Sequence, residues 1–300
     1  MALAHLPRTT GEAARVSGRS RSITPYLLLL PGMAWLVVFF VLPTITLAST
    51  STQTRPENAE IGVFTQTFRL ANYSDAIREF APQFGRSLMY AGMATALALA
   101  IAYPLAYAIA FRAGRWKNLL LVMVVAPFFT SFILRTIAWK QILADEGPVV
   151  PFLKTIGLMN PTSSITSTSV AVVAGLTYNF LPFMTLPLYA SLERIDPRLI
   201  EAGGDLYASS FTTFRKVTVP LSMPGVVAGT LLTFIPSAGD YVNAALLGRK
   251  DTTMVGNVIE SRFFVVVDYP TAAALSFALM ALILVMVTLY IRRTGTDELV

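Results

Sequence analysis

Six stretches of about 20 apolar residues, parted by polar intervals, leave this chain few ways to fold. They cover residues 26–47, 87–111, 119–143, 168–192, 224–247 and 271–291, and each is long enough to cross a bilayer core as a helix. Composition agrees. The chain is 54% hydrophobic and only 13% charged, whereas a soluble domain carries roughly 25% charged residues. The reading is an all-α membrane protein with six transmembrane helices. Pro31 and Pro43 lie inside or near the ends of the first stretch. The second is rich in alanine (Ala94, Ala96, Ala98, Ala100, Ala102), and the fifth carries Gly225 and Gly229 four apart. Small residues of this kind let helices approach closely in lipid.

The residue inventory removes several chemistries. There is no cysteine, so disulfides and thiolate metal sites are excluded, and the single histidine, His5, lies in a polar tail. No phosphate loop of the form G-x-x-x-x-G-K-[ST] occurs, so the sequence shows no nucleotide site of that type. The net charge of +6 fits cationic membrane-flanking loops, and no basic run with interleaved aromatics points to nucleic acid.

Residues 1–24 are polar, lack the apolar core of a signal peptide, and read as a disordered cytoplasmic tail. The membrane domain is expected over 25–293, with 294–300 as a second cytoplasmic tail. The basic turn Arg112–Lys117 and the end at Arg292-Arg293 point inward by the positive-inside rule, putting both termini inside. Residues 51–84, 144–167 and 248–269 then form the outer loops. The first can carry interfacial structure, and the last is a loop or re-entrant piece.

Between the fourth and fifth stretches, residues 193–222 break the apolar pattern. Asp196-Pro197 reads as an N-cap followed by proline at the first helical position. Ser209-Ser210 can cap a second short helix, which Pro220 is expected to stop. Two short helices joined by a tight turn suit docking into a groove on another protein. This interval resembles the EAA loop of ABC-importer permeases, with Glu201, Ala202, Pro220 and Pro224 matching the pattern. Gly203 replaces its second alanine, and Tyr207 stands where the family has its turn glycine. Tyrosine in a left-handed turn is costly, so the bend is either shared with Gly203-Gly204 or more open.

Further segments are similar to the spermidine/putrescine class of these permeases. They are Pro127-Phe128-Phe129-Thr130-Ser131, Arg135-Thr136, Ala138-Trp139-Lys140, Asp145-Glu146-Gly147, Leu181-Pro182-Phe183, Met254–Ile259 and Asp268-Tyr269-Pro270. Relatives for iron complexes, opines and other organic cations share many of them. The resemblance implies half of a polyamine pore in a bacterial cytoplasmic membrane. Its partners would be a second homologous permease, an extracytoplasmic binding protein and two ATPase subunits that hold the ATP and Mg. It implies ATPase docking through Glu201, Ala202, Gly203, Asp205, Phe211 and Phe214. Phe211 and Phe214 would either fill the ATPase groove or hold the short helices onto the spans.

Asp240, inside the fifth stretch, is an acid at membrane depth and so is expected to face a cavity or a partner. A passing ammonium would be favoured by its carboxylate and by the π-face of Tyr241. Alternatively Asp240 pairs with Arg135 or Lys140, or lies near the outer mouth. Tyr178, Asn179 and Phe183 either line the path or pack. Lys140 is expected to snorkel outward, with Trp139 as a belt residue at the same surface. Three rivals remain: a gradient-driven transporter, against which no internal repeat is visible; a membrane enzyme, which lacks a nucleophile–base pair; and an assembly factor without a pore.

Overall fold

A computed structural model of the chain describes residues 24–294. The expected tails lie outside the described residues, apart from Thr24 and Thr294. The chain divides into two units, residues 1–46 and 47–300. The first stretch is helical: α1 (Thr24–Leu36), a π turn (Val37–Val41) and α2 (Leu42–Thr50). The π turn ends where Leu42 N–H bonds to the Val37 carbonyl, immediately before Pro43. A proline ring would collide with the carbonyl four residues back, and one extra residue in the turn relieves that contact.

The second unit begins with a two-stranded antiparallel ribbon, β1 (Gln53–Thr54) with β2 (Thr65–Gln66), Gln53 opposite Gln66. Asn72 pins the ribbon by donating to the Ser51 and Gln53 carbonyls at 2.9 and 2.8 Å. Then comes α3 (Ala71–Phe111), kinked at Phe80. At 41 residues it is about twice what a bilayer core needs, so its first turns stand outside the apolar segment that begins near Ser87.

The third apolar stretch is not one helix. A 3₁₀ turn (Gly114–Trp116) leads into α4 (Lys117–Val125), another 3₁₀ turn (Ala126–Phe129) and α5 (Phe132–Ile142). The two halves meet at 101°. Thr130 and Ser131 are extended at the break, with ψ of 145° and 136°. Together with Pro127, they end one helix before the next begins. After α6 (Val149–Thr155), Thr168 caps α7 (Ser169–Glu193), its hydroxyl accepting from Ala171 N–H.

Two short helices follow, α8 (Pro197–Asp205) and α9 (Ser210–Thr213), but Pro220 does not stop the second. A π turn (Phe214–Thr218) carries α9 directly into α10 (Val219–Ala238), giving one apolar helix over Ser210–Ala238. Val219 N–H bonds to the Phe214 carbonyl just before Pro220, the device already seen before Pro43. The fifth stretch also ends sooner than its hydropathy implies. Its chain breaks at Gly239–Tyr241, and α11 (Val242–Leu247) is a separate short helix. A 3₁₀ turn (Lys250–Thr252), α12 (Val255–Phe264) and the long α13 (Tyr269–Thr294) complete the described chain.

Five helical segments are long and apolar enough to cross a membrane, and the bent pair α4–α5 makes a sixth if counted as one span. The core is a triple packing of α3, α7 and α10. From α3, Ala94, Ala98, Ala102 and Ala106 form a fully buried seam four residues apart, while Ala96 and Ala100 face outward. Met184, Leu188 and Leu192 of α7 fill the space beside the lower part of that seam. From the other side, Gly225 and Gly229 bring α10 onto α7. A Cβ on Gly225 would stand 2.5 Å from Ser191 Cβ, and one on Gly229 2.8 Å from Met184 Sδ. Close backbone approach at small residues replaces the hydrophobic drive that lipid cannot supply.

Candidate functional site

The sequence-predicted residues fall into two groups at opposite ends of Ser210–Ala238. With 29 residues in that helix, they are separated by about 40 Å at 1.5 Å per residue.

The first group is the two-helix loop. Asp196 Oδ1 accepts from Arg198 N–H at 2.9 Å, and Ser209 Oγ from Thr212 N–H at 3.3 Å, so both predicted caps form. Gly203 lies against Thr213, where a Cβ would meet the hydroxyl at 2.6 Å. The alanine expected at this position would therefore collide with α9. Gly203 and Gly204 both remain helical and do not share the bend. Tyr207 makes it alone, at φ 57°, with Tyr207 N–H bonded to Gly204 O and Ala208 N–H to Gly203 O. Left-handed backbone in a residue with a side chain costs on the order of 1 kcal/mol.

Glu201, Ala202 and Asp205 are exposed on α8. Phe211 and Phe214 have different environments. Phe211 is 71% exposed. Phe214 sits edge-on to Tyr103 and Tyr107 of α3 at 5.6 and 5.8 Å, holding the loop to the spans. Tyr103 also shares a 2.7 Å hydrogen bond with Ser222. An ion pair between Lys117 and Glu193 brings the 112–117 turn to this same end.

The second group surrounds the breaks in the third and fifth stretches. Asp240 is buried, but it lies in the break after α10 rather than within a helix. Its Oδ1 accepts from Asn243 N–H at 2.8 Å and from the Asn243 side-chain amide at 3.2 Å. Asn243 Oδ1 accepts in turn from Asn179 Nδ2 at 3.0 Å, and the same amide donates to Thr136 at 3.1 Å. A buried polar chain thus links α5, α7, α11 and the Asp240 break. Asn257 of α12 closes the far side by donating to Tyr241 O at 2.7 Å. Gly256 permits that approach, since a Cβ there would come within 2.6 Å of Gly239 O.

The alternative ion pair with Arg135 or Lys140 does not form: among the described residues no salt bridge reaches Asp240. Arg135 is buried between Phe128 and Phe132, its guanidinium carbon 5.4 and 5.6 Å from the two rings. Its Nε and one terminal nitrogen have no hydrogen-bond partner among the described residues. Lys140 is exposed. Trp139 is not an outward belt residue; it stacks on Tyr178 at 5.2 Å with the planes 3° apart. Phe183 packs edge-on to Phe128 at 5.1 Å. Tyr241 is half exposed beside Asp240.

The end away from the two-helix loop is also tied together. Arg86 donates to the Asp251 carbonyl. Arg262 pairs with Glu79 and Asp268 at 2.8 and 3.5 Å. Arg249 clamps Asp251 at 2.6 Å and holds its carboxyl below the usual range. Arg55, Arg69, Asn72 and Asp268 border an open cleft of about 360 Å³ here.

Residues 94–293, taking in most of both groups, match the family model described as the binding-protein-dependent transport system inner membrane component. The chain belongs to this family. Among characterised relatives, the permease is 35% identical to the spermidine/putrescine transport system permease protein PotB of Haemophilus influenzae. That similarity spans 260 residues, 86% of this chain and 90% of that one. It is 34% identical to PotB of Escherichia coli K12 over 261 residues, 87% and 94% of the two chains. The fold is similar to that of a bacterial alginate ABC transporter solved with an alginate pentasaccharide-bound periplasmic protein. The TM-score there is 0.68 at 16% identity, covering 89% of this permease and 92% of that chain.

Proposed function

We infer that this permease forms half of the pore of an ATP-driven importer for polyamines of the spermidine/putrescine type. In this reading the pair α4–α5 counts as one span, giving six, with both termini and the 193–222 loop in the cytoplasm of a bacterial inner membrane. An extracytoplasmic binding protein delivers substrate to the end that carries Arg86, Arg249 and Arg262. A second homologous permease completes the pore. Two ATPase subunits, holding ATP and Mg, take up the loop through Glu201, Ala202, Gly203, Asp205 and Phe211. This chain itself is not an enzyme. Likeness to the two PotB proteins supports the substrate class.

The observation that carries the cation reading is Asp240. A carboxylate withdrawn from water is costly without a counter-charge, and Asp240 is buried with, among the described residues, only Asn243 bonded to its Oδ1. A primary or secondary ammonium on the pathway supplies the missing charge, and Tyr241 offers its ring face beside it. Asn243 holds the carboxylate and is held in turn by Asn179, while Tyr178 and Phe183 supply further aromatic surface, stacked on Trp139 and packed on Phe128. A second reading follows from Arg135, whose unpaired guanidinium nitrogens suit a substrate that also bears a carboxylate, such as an opine.

Reconstitution of the whole complex in proteoliposomes tests both readings. Uptake of labelled spermidine is expected to need ATP on the loop side and to survive collapse of ion gradients. Asp240→Asn should cut polyamine uptake at least tenfold, about 1.4 kcal/mol, while assembly is retained because an amide oxygen still caps Asn243. Full uptake by that variant would remove Asp240 from the pathway, and carboxylate-dependent uptake would favour the second reading.

A further inference from the structure

We propose that Tyr207 is an aromatic anchor that seats in an apolar, basic-rimmed slot on the ATPase subunit. The proposal rests on the docking role of the 193–222 loop and adds a residue to it. Tyr207 combines two costs that nothing among the described residues offsets. Its φ of 57° is left-handed backbone, the region where glycine or asparagine ordinarily sits. Its side chain is 100% exposed, so the ring gains no packing in return.

The turn does not need the ring. Both bonds that close it, Tyr207 N–H to Gly204 O and Ala208 N–H to Gly203 O, are backbone bonds that glycine would make equally well. The loop is already fastened to the spans by Phe214. Its neighbour Leu206 is 80% exposed, and Phe211 in the following helix is also in water. A large aromatic beside a leucine, open to solvent, has the composition of an interface centre.

Charge indicates the occupant. The acids Glu201 and Asp205 are exposed on α8 just before the turn, whereas Arg198 sits at the start of α8, Arg194 follows α7, and Arg215 and Lys216 follow α9. Anionic headgroups would repel an acidic tip and attract the basic base. The ring is thereby directed to a protein with a basic rim and away from the bilayer surface.

The test uses the full complex in native membranes, with a photo-crosslinking phenylalanine analogue at Tyr207 or, separately, at Phe211. The Tyr207 position is expected to crosslink to the ATPase subunit; capture of lipid or of the permease's own helices would overturn the proposal. Tyr207→Gly should insert and fold as well as the parent. It should retain ATPase subunits through purification, and couple hydrolysis to uptake, roughly tenfold less well, the scale of a truncated aromatic anchor. Tyr207→Phe should retain both functions. If Tyr207→Gly couples normally while Phe211 still crosslinks to the ATPase, the anchor fails and the docking reading stands. If neither position reaches an ATPase, the docking reading itself fails.

Discussion

Asn243 accepts from Asn179 and donates to Asp240, and so joins two helices to a break in a third. Asn243→Ala leaves the Asn179 amide with only Thr136 to bond and removes the side-chain donor to Asp240. Leaving buried polar groups unsatisfied costs about 1–3 kcal/mol, so a lower unfolding temperature of the purified complex is expected. An unchanged unfolding temperature would mean that water replaces the lost amide. Asp240 could be found in the sequence because an acid in an apolar run stands out. Asn243 and Thr136 could not, since neutral polar side chains barely perturb hydropathy. The partners of Asn179 lie 43 and 64 residues away in the chain, and no local pattern carries that pairing. Tyr207 was visible as a departure from the family pattern, but the absence of a compensating contact among the described residues is a three-dimensional fact.

Among the elements, helix caps and small-residue seams were legible because each depends on a short spacing: Asp196-Pro197, Ser209, Gly225 with Gly229. Helix breaks were not. Residues 119–143 and 224–247 are apolar on average despite Arg135, Lys140 and Asp240, and hydropathy does not register a 101° bend at Thr130–Ser131 or a break at Asp240. Proline misled in the opposite direction. Pro220 reads as a stop, yet one π turn before it lets the helix continue. Gly203 is explained by its neighbour Thr213 across the turn. Gly203→Ala should therefore loosen α8 from α9 by about 1–2 kcal/mol of overpacking, even though it restores the family's residue. Gly203→Ala with Thr213→Ala should recover most of the loss. A double-mutant cycle on ATPase retention and thermal stability checks this, and strict additivity would refute the contact.

At the scale of the molecule, the charged contacts divide between two ends. The Lys117–Glu193 pair and the two-helix loop gather at one end, while the Arg86–Asp251 and Arg262–Glu79 contacts gather at the other. Since the chain contains no cysteine, single introduced thiols report sidedness without background. A membrane-impermeant maleimide should label Asp251→Cys in cells whose outer membrane alone is opened. Arg198→Cys should react only after the inner membrane is breached, and the reverse order would invert the topology. The unbroken helix from Ser210 to Ala238 has a mechanical consequence. It runs from the contact of Phe214 with α3 to the break before Asp240. A tilt of about ten degrees at one extremity sweeps the other through roughly 7 Å over its length, comparable to the girth of an alkylammonium chain.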